Sequence, residues 1–140
     1  MAEVFAGVVC GFALALIATP LGALTLVRAR VGNETVARLM PEGSSLLAVS
    51  IILHGFGFLA FTAIGIVFGM MLNGLESSRP AGGLGSPNAA YTALTIGIVA
   101  IAVLPLAIVA PRRRVWLLSS GLVFATTFGW AMPWLATLGD

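Results

Sequence analysis

Lysine is absent from this 140-residue chain, and all seven basic residues are arginine. Charged residues make up only 9% of the sequence, against 59% hydrophobic ones. A soluble domain carries about 25% charged residues, so this chain cannot dress a water-facing surface. That excludes a soluble fold and makes lipid the main solvent. One cysteine, Cys10, excludes an intrachain disulfide. It sits in an apolar run, where a thiol behaves as a small hydrophobe. One histidine and one cysteine are too few ligands for a zinc site. A bis-histidine haem site needs a second histidine, which only another subunit supplies. No acid or arginine stands deep in an apolar run, which argues against an ion-coupled transporter and against hydrolysis by paired carboxylates. A serine nucleophile needs a base, and His54 is the only candidate. No metal or cofactor is expected.

The net charge of +2 is small. A nucleic-acid site needs clustered charge on an accessible face, and the only basic run, Arg112-Arg113-Arg114, abuts an apolar segment. No nucleic-acid partner is expected. A cleaved leader is not expected either. Glu3 stands where a leader carries basic residues, and the first apolar run continues to Val27.

What the chain does have is four long apolar runs, at about 4–27, 46–72, 89–110 and 115–138, and a mean hydropathy of +1.08. Each run exceeds the roughly 20 residues that cross a hydrocarbon core of about 30 Å. They show no strand-like alternation, so helices and not barrel strands satisfy their backbones in lipid. The expected fold is a single all-α domain over residues 1–140, a bundle of four transmembrane helices.

Asn33, Glu34 and Arg38 suggest a short helix at about 33–40 on the membrane surface. Asn33 caps it, Glu34 and Arg38 form an i,i+4 pair, and Val36, Leu39 and Met40 share a face. The segment 73–88 is rich in Gly, Ser and Pro and reads as a loop, with Ser86-Pro87 opening the third helix. Residues 111–114 form a tight turn, which makes the last two helices antiparallel neighbours.

Arginines set the orientation. Arg28, Arg30 and Arg38 lie in the first connection, and Arg112, Arg113 and Arg114 in the third; the second holds only Arg79. Positive loops stay in the cytoplasm, so both termini face outward. Trp116 then marks the cytoplasmic boundary, and Tyr91 and Trp134 the outer one. The expected location is a prokaryotic cytoplasmic membrane. A faint echo between residues 20–28 and 105–113, and between 56–58 and 128–130, is compatible with two parallel hairpins.

The candidate polar site inside the membrane is His54 with Ser50, one turn away, and Thr19. An ionisable intramembrane residue is a functional candidate by default; the competing reading is a hydrogen-bonded packing residue. Pro20 and Pro105 fall mid-span and take the usual donors from the carbonyls of Leu16 and Ile101. A hydroxyl such as Thr19 is placed to serve one of them.

Small residues four apart recur on every span: Gly7 and Gly11; Gly65 and Gly69; Ala89, Ala93 and Gly97; Gly121, Ala125 and Gly129. Such faces let helix backbones approach closely. The first two pairs are expected to face each other, so that leucine at Gly69 destabilises the monomer. Leucine at Gly121 is expected to alter the oligomeric state first.

The functional expectation is a non-enzymatic structural or accessory subunit of a membrane assembly, partnered by the bilayer and by a second copy or a larger complex. The alternative is a small channel or transporter for a neutral or apolar solute, built as an oligomer around His54 and the prolines. A third reading is a membrane-anchored redox subunit using His54.

Overall fold

The structure is a computed structural model in which residues 1–39, 45–75 and 88–138 are described. Nearly all of those residues are helical, and none forms a strand. The helices are α1 (Ala2–Ala29), α2 (Glu34–Leu39), α3 (Leu46–Gly74), α4 (Ala89–Val109), α5 (Arg114–Thr126) and α6 (Met132–Thr137). A 3-10 turn at Pro111–Arg113 leads into α5, and a π turn at Thr127–Ala131 joins α5 to α6. Four helical paths are long and apolar enough to cross a membrane: Ala2–Ala29, Leu47–Gly74, Ala89–Val109 and Pro111–Thr137. At 28 residues, α1 is ~42 Å long at helical rise. It exceeds the hydrocarbon core and must tilt or emerge.

Side chains fix the helix starts. Ser45 accepts the Ala48 N–H at 3.1 Å and opens α3. The Asn33 carboxamide oxygen accepts from Thr35 at 3.0 Å and Val36 at 3.3 Å, which caps α2. Glu34 and Arg38 make no ion pair among the described residues. An exposed pair at that spacing gains too little to hold two long side chains together. The expected Ser86-Pro87 start and Met40 lie outside the described residues. Asn88 caps α4 instead, accepting the Tyr91 N–H at 3.1 Å. Its Nδ2 donates to the Leu75 carbonyl at 3.1 Å, tying the end of α3 to the start of α4.

The fourth path departs from a uniform helix over 115–138. Pro133 lies in the first turn of α6 and has no N–H to give the Gly129 carbonyl four residues back. The chain relaxes into the π turn there, with Met132 N–H reaching the Thr127 carbonyl.

Two helix pairs make up the molecule. α1 and α3 are in contact along their length. Their closest approach is backbone on backbone: a β-carbon on Gly7 would overlap the Gly65 carbonyl, and one on Gly65 would overlap the Gly7 carbonyl. Further along, Gly11 lies on the Phe61 carbonyl, and a β-carbon on Gly69 would stand 2.7 Å from both the Glu3 carbonyl oxygen and the Val4 Cα. No hydrophobic effect drives helices together in lipid, so this close fit supplies association through dispersion. α4 packs on α5 and the π turn, where Gly121 meets Val99 and Val103 and Gly129 meets Thr95 and Thr92.

The pairs join at one end. Phe68 of α3 stacks on Phe128 with ring centroids 5.0 Å apart, and meets Phe124 edge-on at 5.6 Å. Tyr91, Met132 and Ala136 complete this buried cluster with Ala6, Cys10 and Leu14 of α1. Tyr91 is fully buried within the helices. It lies one turn inside α4 and faces the other helices. Glu3 is also inside the fold at 2% exposure, with its Oε2 3.0 Å from the Met1 ammonium. α1 begins two residues before the expected start of the span, which draws this acid under α3.

Candidate functional site

Thr19 and His54 form a polar contact between α1 and α3. Thr19 Oγ1 lies 3.1 Å from His54 Nδ1. The same hydroxyl donates to the Ala15 carbonyl at 2.8 Å. With its single proton directed to Ala15, the hydroxyl is left to accept from Nδ1 in the ring form that carries hydrogen there. Thr19 is buried and His54 is half-buried. The Thr19 methyl fills the space that Gly57 leaves on α3.

This differs from the expected arrangement in two ways. Thr19, not Ser50, is the hydrogen-bond partner of His54. Ser50 shares the helix face, but the α1 contact supplies a hydroxyl that is already oriented by its own helix. Thr19 also serves the Ala15 carbonyl and not that of Leu16, the group deprived by Pro20. Back-bonding to i−4 is the local geometry open to a helical threonine.

Chemically, the pair is a staple. A general base activates a hydroxyl by accepting its proton; here the hydroxyl proton points to the Ala15 carbonyl. Among the described residues, no three His, Cys, Asp or Glu side chains gather into a metal site. Cys10 is buried in the aromatic end of the fold.

A second set of polar ties holds the other helix pair. Thr92 Oγ1 donates to the Gly129 carbonyl at 2.7 Å. The Tyr91 hydroxyl points at Met132 Sδ at 3.9 Å. Sequence reasoning missed these ties. Pro133, four residues after Gly129, was the available signal.

The small-residue candidates divide. Gly7, Gly11, Gly65 and Gly69 meet across α1 and α3. Gly121 and Gly129 meet α4, and Ala125 between them is half-buried. Gly121 thus packs within the chain, against the expectation that it governs oligomeric state. Ala93 is exposed, and Gly97 has no heavy atom of another helix within 4 Å of a β-carbon position. This face of α4 does not join the intrachain packing. Tyr91 and Thr95, two residues off in register, are the residues α4 turns inward.

An apolar cleft of about 740 Å³ opens between the two helix pairs. Leu14, Phe61, Ile98 and Val103 line its walls, and Phe68 and Phe124 close its floor. Thr25 and Trp116 form its rim near the arginine-bearing end of the molecule. The cleft exists because the aromatic cluster joins the pairs at only one end. His54 does not line it.

No protein-family model, curated protein or solved structure matches the chain.

Proposed function

We propose that this chain is a non-enzymatic structural or accessory subunit of a membrane assembly. The observation that carries the reading is the engagement of three polar side chains, Thr19, His54 and Thr92, in ties between helices, while Thr62 and Thr95 are buried without a partner among the described residues. The Thr19 proton goes to Ala15, the same hydroxyl meets His54 Nδ1, and Thr92 serves Gly129. These groups hold helices together and present no activated nucleophile. At the same time α4 leaves a broad apolar face open, with Ile101 78% and Ile108 79% exposed and Gly97 uncovered. Lipid, a second copy or another chain covers that face.

The proposed setting is a prokaryotic cytoplasmic membrane, with both termini outside. Arg28, Arg30, Arg38 and Arg112–Arg114 belong to the cytoplasmic connections in this reading. The apolar cleft favours a second reading, a carrier for a neutral or apolar solute.

The test is purification in mild detergent with measurement of mass and co-purifying chains. A stoichiometric partner, or a mass that is a multiple of 14.4 kDa, supports the assembly reading. A lone monomer stabilised by an apolar solute replaces it with the second. Reporter fusions after Arg114 and after Leu138 test orientation. A cytoplasmic reporter that is active at Leu138 overturns it.

A further inference from the structure

We propose that the cleft between the helix pairs is a binding site for one acyl chain of an anionic phospholipid, whose phosphate seats on the arginines at the rim. Three observations support this occupant.

The first is length. Leu14 and Thr25 line the cleft from floor to rim, and the 11 positions between them rise about 16 Å along α1. That is about half the ~30 Å hydrocarbon core, the depth of one leaflet. The second is closure. Phe68, Phe124 and Phe128 interlock at the floor. A spanning helix from a partner needs a groove through the full core, and this one stops halfway. A chain entering from one leaflet fits it. The third is charge. Arg28 stands three residues beyond Thr25 on α1, and Arg113 three residues before Trp116, in the turn that leads into α5. Arg28 and Arg112–Arg114 are exposed, and none makes an ion pair among the described residues. Arginine matches phosphate oxygens in a bidentate fork, and the N-terminal end of α5 adds a favourable dipole for an anion.

The inference needs only the four spans, so it stands or falls separately from the assembly reading. Its test uses the full chain in detergent and native mass spectrometry. The probes are phosphatidylglycerol and phosphatidylcholine of identical chains, and glycerol phosphate as a headgroup without chains. Phosphatidylglycerol is expected to be retained one per chain, well above phosphatidylcholine, with glycerol phosphate not retained. An arginine near an anionic lipid surface is worth about 1 kcal/mol, so Arg28→Gln and Arg113→Gln should each lower the preference about fivefold. Ala102→Phe fills the cleft from an exposed position of α4. It should abolish retention of both lipids while thermal stability holds. Ala18→Phe, on the opposite wall, repeats the measurement if the first variant fails to fold. Equal retention of the two lipids, retention of the bare headgroup, or full retention in both filled-cleft variants would overturn the proposal.

Discussion

The Thr92 hydroxyl donates to the Gly129 carbonyl at 2.7 Å, and Gly129 stands four residues before Pro133. A carbonyl deprived of its proline-side donor is costly in lipid, where no water replaces it. Thr92 supplies the bond from a neighbouring helix. Thr92→Val should therefore cost about 1 kcal/mol, since membrane hydrogen bonds average roughly 0.6 and reach about 1.7 kcal/mol. Thr92→Ser should cost less. In a Pro133→Ala background the alanine N–H can serve Gly129, so the cost of Thr92→Val should shrink. A double-mutant cycle of thermal stabilities reads that coupling. Strict additivity would show that the two residues act independently.

Gly7 and Gly65 have no room for a β-carbon, because each would overlap the other's carbonyl oxygen. Backbone cannot rotate away as a side chain can. Gly7→Ala and Gly69→Leu should each force α1 from α3 and cost at least the ~1–3 kcal/mol typical of overpacking. Gly121→Leu meets the valine side chains at 3.1 and 3.3 Å, which can shift, so it should cost less. Gly97→Ala faces open space and should be neutral or slightly stabilising, given the helix propensity of alanine. Thermal stability with size-exclusion mass checks the series. An oligomer lost in Gly97→Leu at unchanged stability would assign that open face to a partner.

The number of long apolar helices was readable because apolar length alone decides it: four runs are long enough for the bilayer, and four helical paths long and apolar enough to cross it result. The Gly7/Gly65 contact was readable too, since both pairs fall at similar depth on helices joined by one connection. The inward face of α4 was not. Ala93 and Gly97 carry the small-residue spacing, yet Tyr91 and Thr95 turn inward. In lipid both faces of a helix are apolar, so periodicity carries no inside-outside contrast. The partner of His54 was hidden for a related reason. Ser50 is near in sequence, whereas Thr19 is 35 residues away and is brought close only by the glycine contacts. The π turn was hidden because its cause, Pro133, was not weighed beside Pro20 and Pro105.

Thr19 Oγ1 directs its proton to Ala15 and lies 3.1 Å from His54 Nδ1, a contact completed by the ring form that carries hydrogen on Nδ1. His54→Asn places an amide N–H near the Nδ1 position and should retain most of the stability. His54→Gln reaches further and should cost up to about 1 kcal/mol. Thr19→Val should match it, and the double variant should lose no more than either single one. Thermal unfolding of the four proteins, with nitrogen NMR of the ring, is the measurement. A ring protonated at Nε2, or a His54→Gln variant of full stability without any assayed activity, would replace the staple with a ligand-binding or relay role.

Phe68 is the residue that joins the two helix pairs, and its removal should part them. Its ring lies 5.0 Å from Phe128, 5.6 Å from Phe124 and 6.5 Å from Tyr91. Aromatic pairs contribute about 0.5–1.5 kcal/mol each, so Phe68→Ala should cost about 2–4 kcal/mol even though lipid already solvates the apolar area. Phe56 provides the control. It lies on the same helix but is 72% exposed, and Phe56→Ala should stay within about 0.5 kcal/mol. The backbone contacts of α1 with α3 at Gly7, Gly11, Gly65 and Gly69 do not depend on the Phe68 ring, so each pair should persist as a unit when the pairs separate. Spin labels at Ile51 of α3 and Ile108 of α4, both exposed, would report the distance between the pairs at the arginine-bearing end. Phe68→Ala should broaden that distribution toward longer distances, while Gly7→Ala leaves it centred where it was. An unchanged distribution in Phe68→Ala would mean that α1 and α6, which also touch beside Cys10 and Ala136, hold the pairs together without the rings.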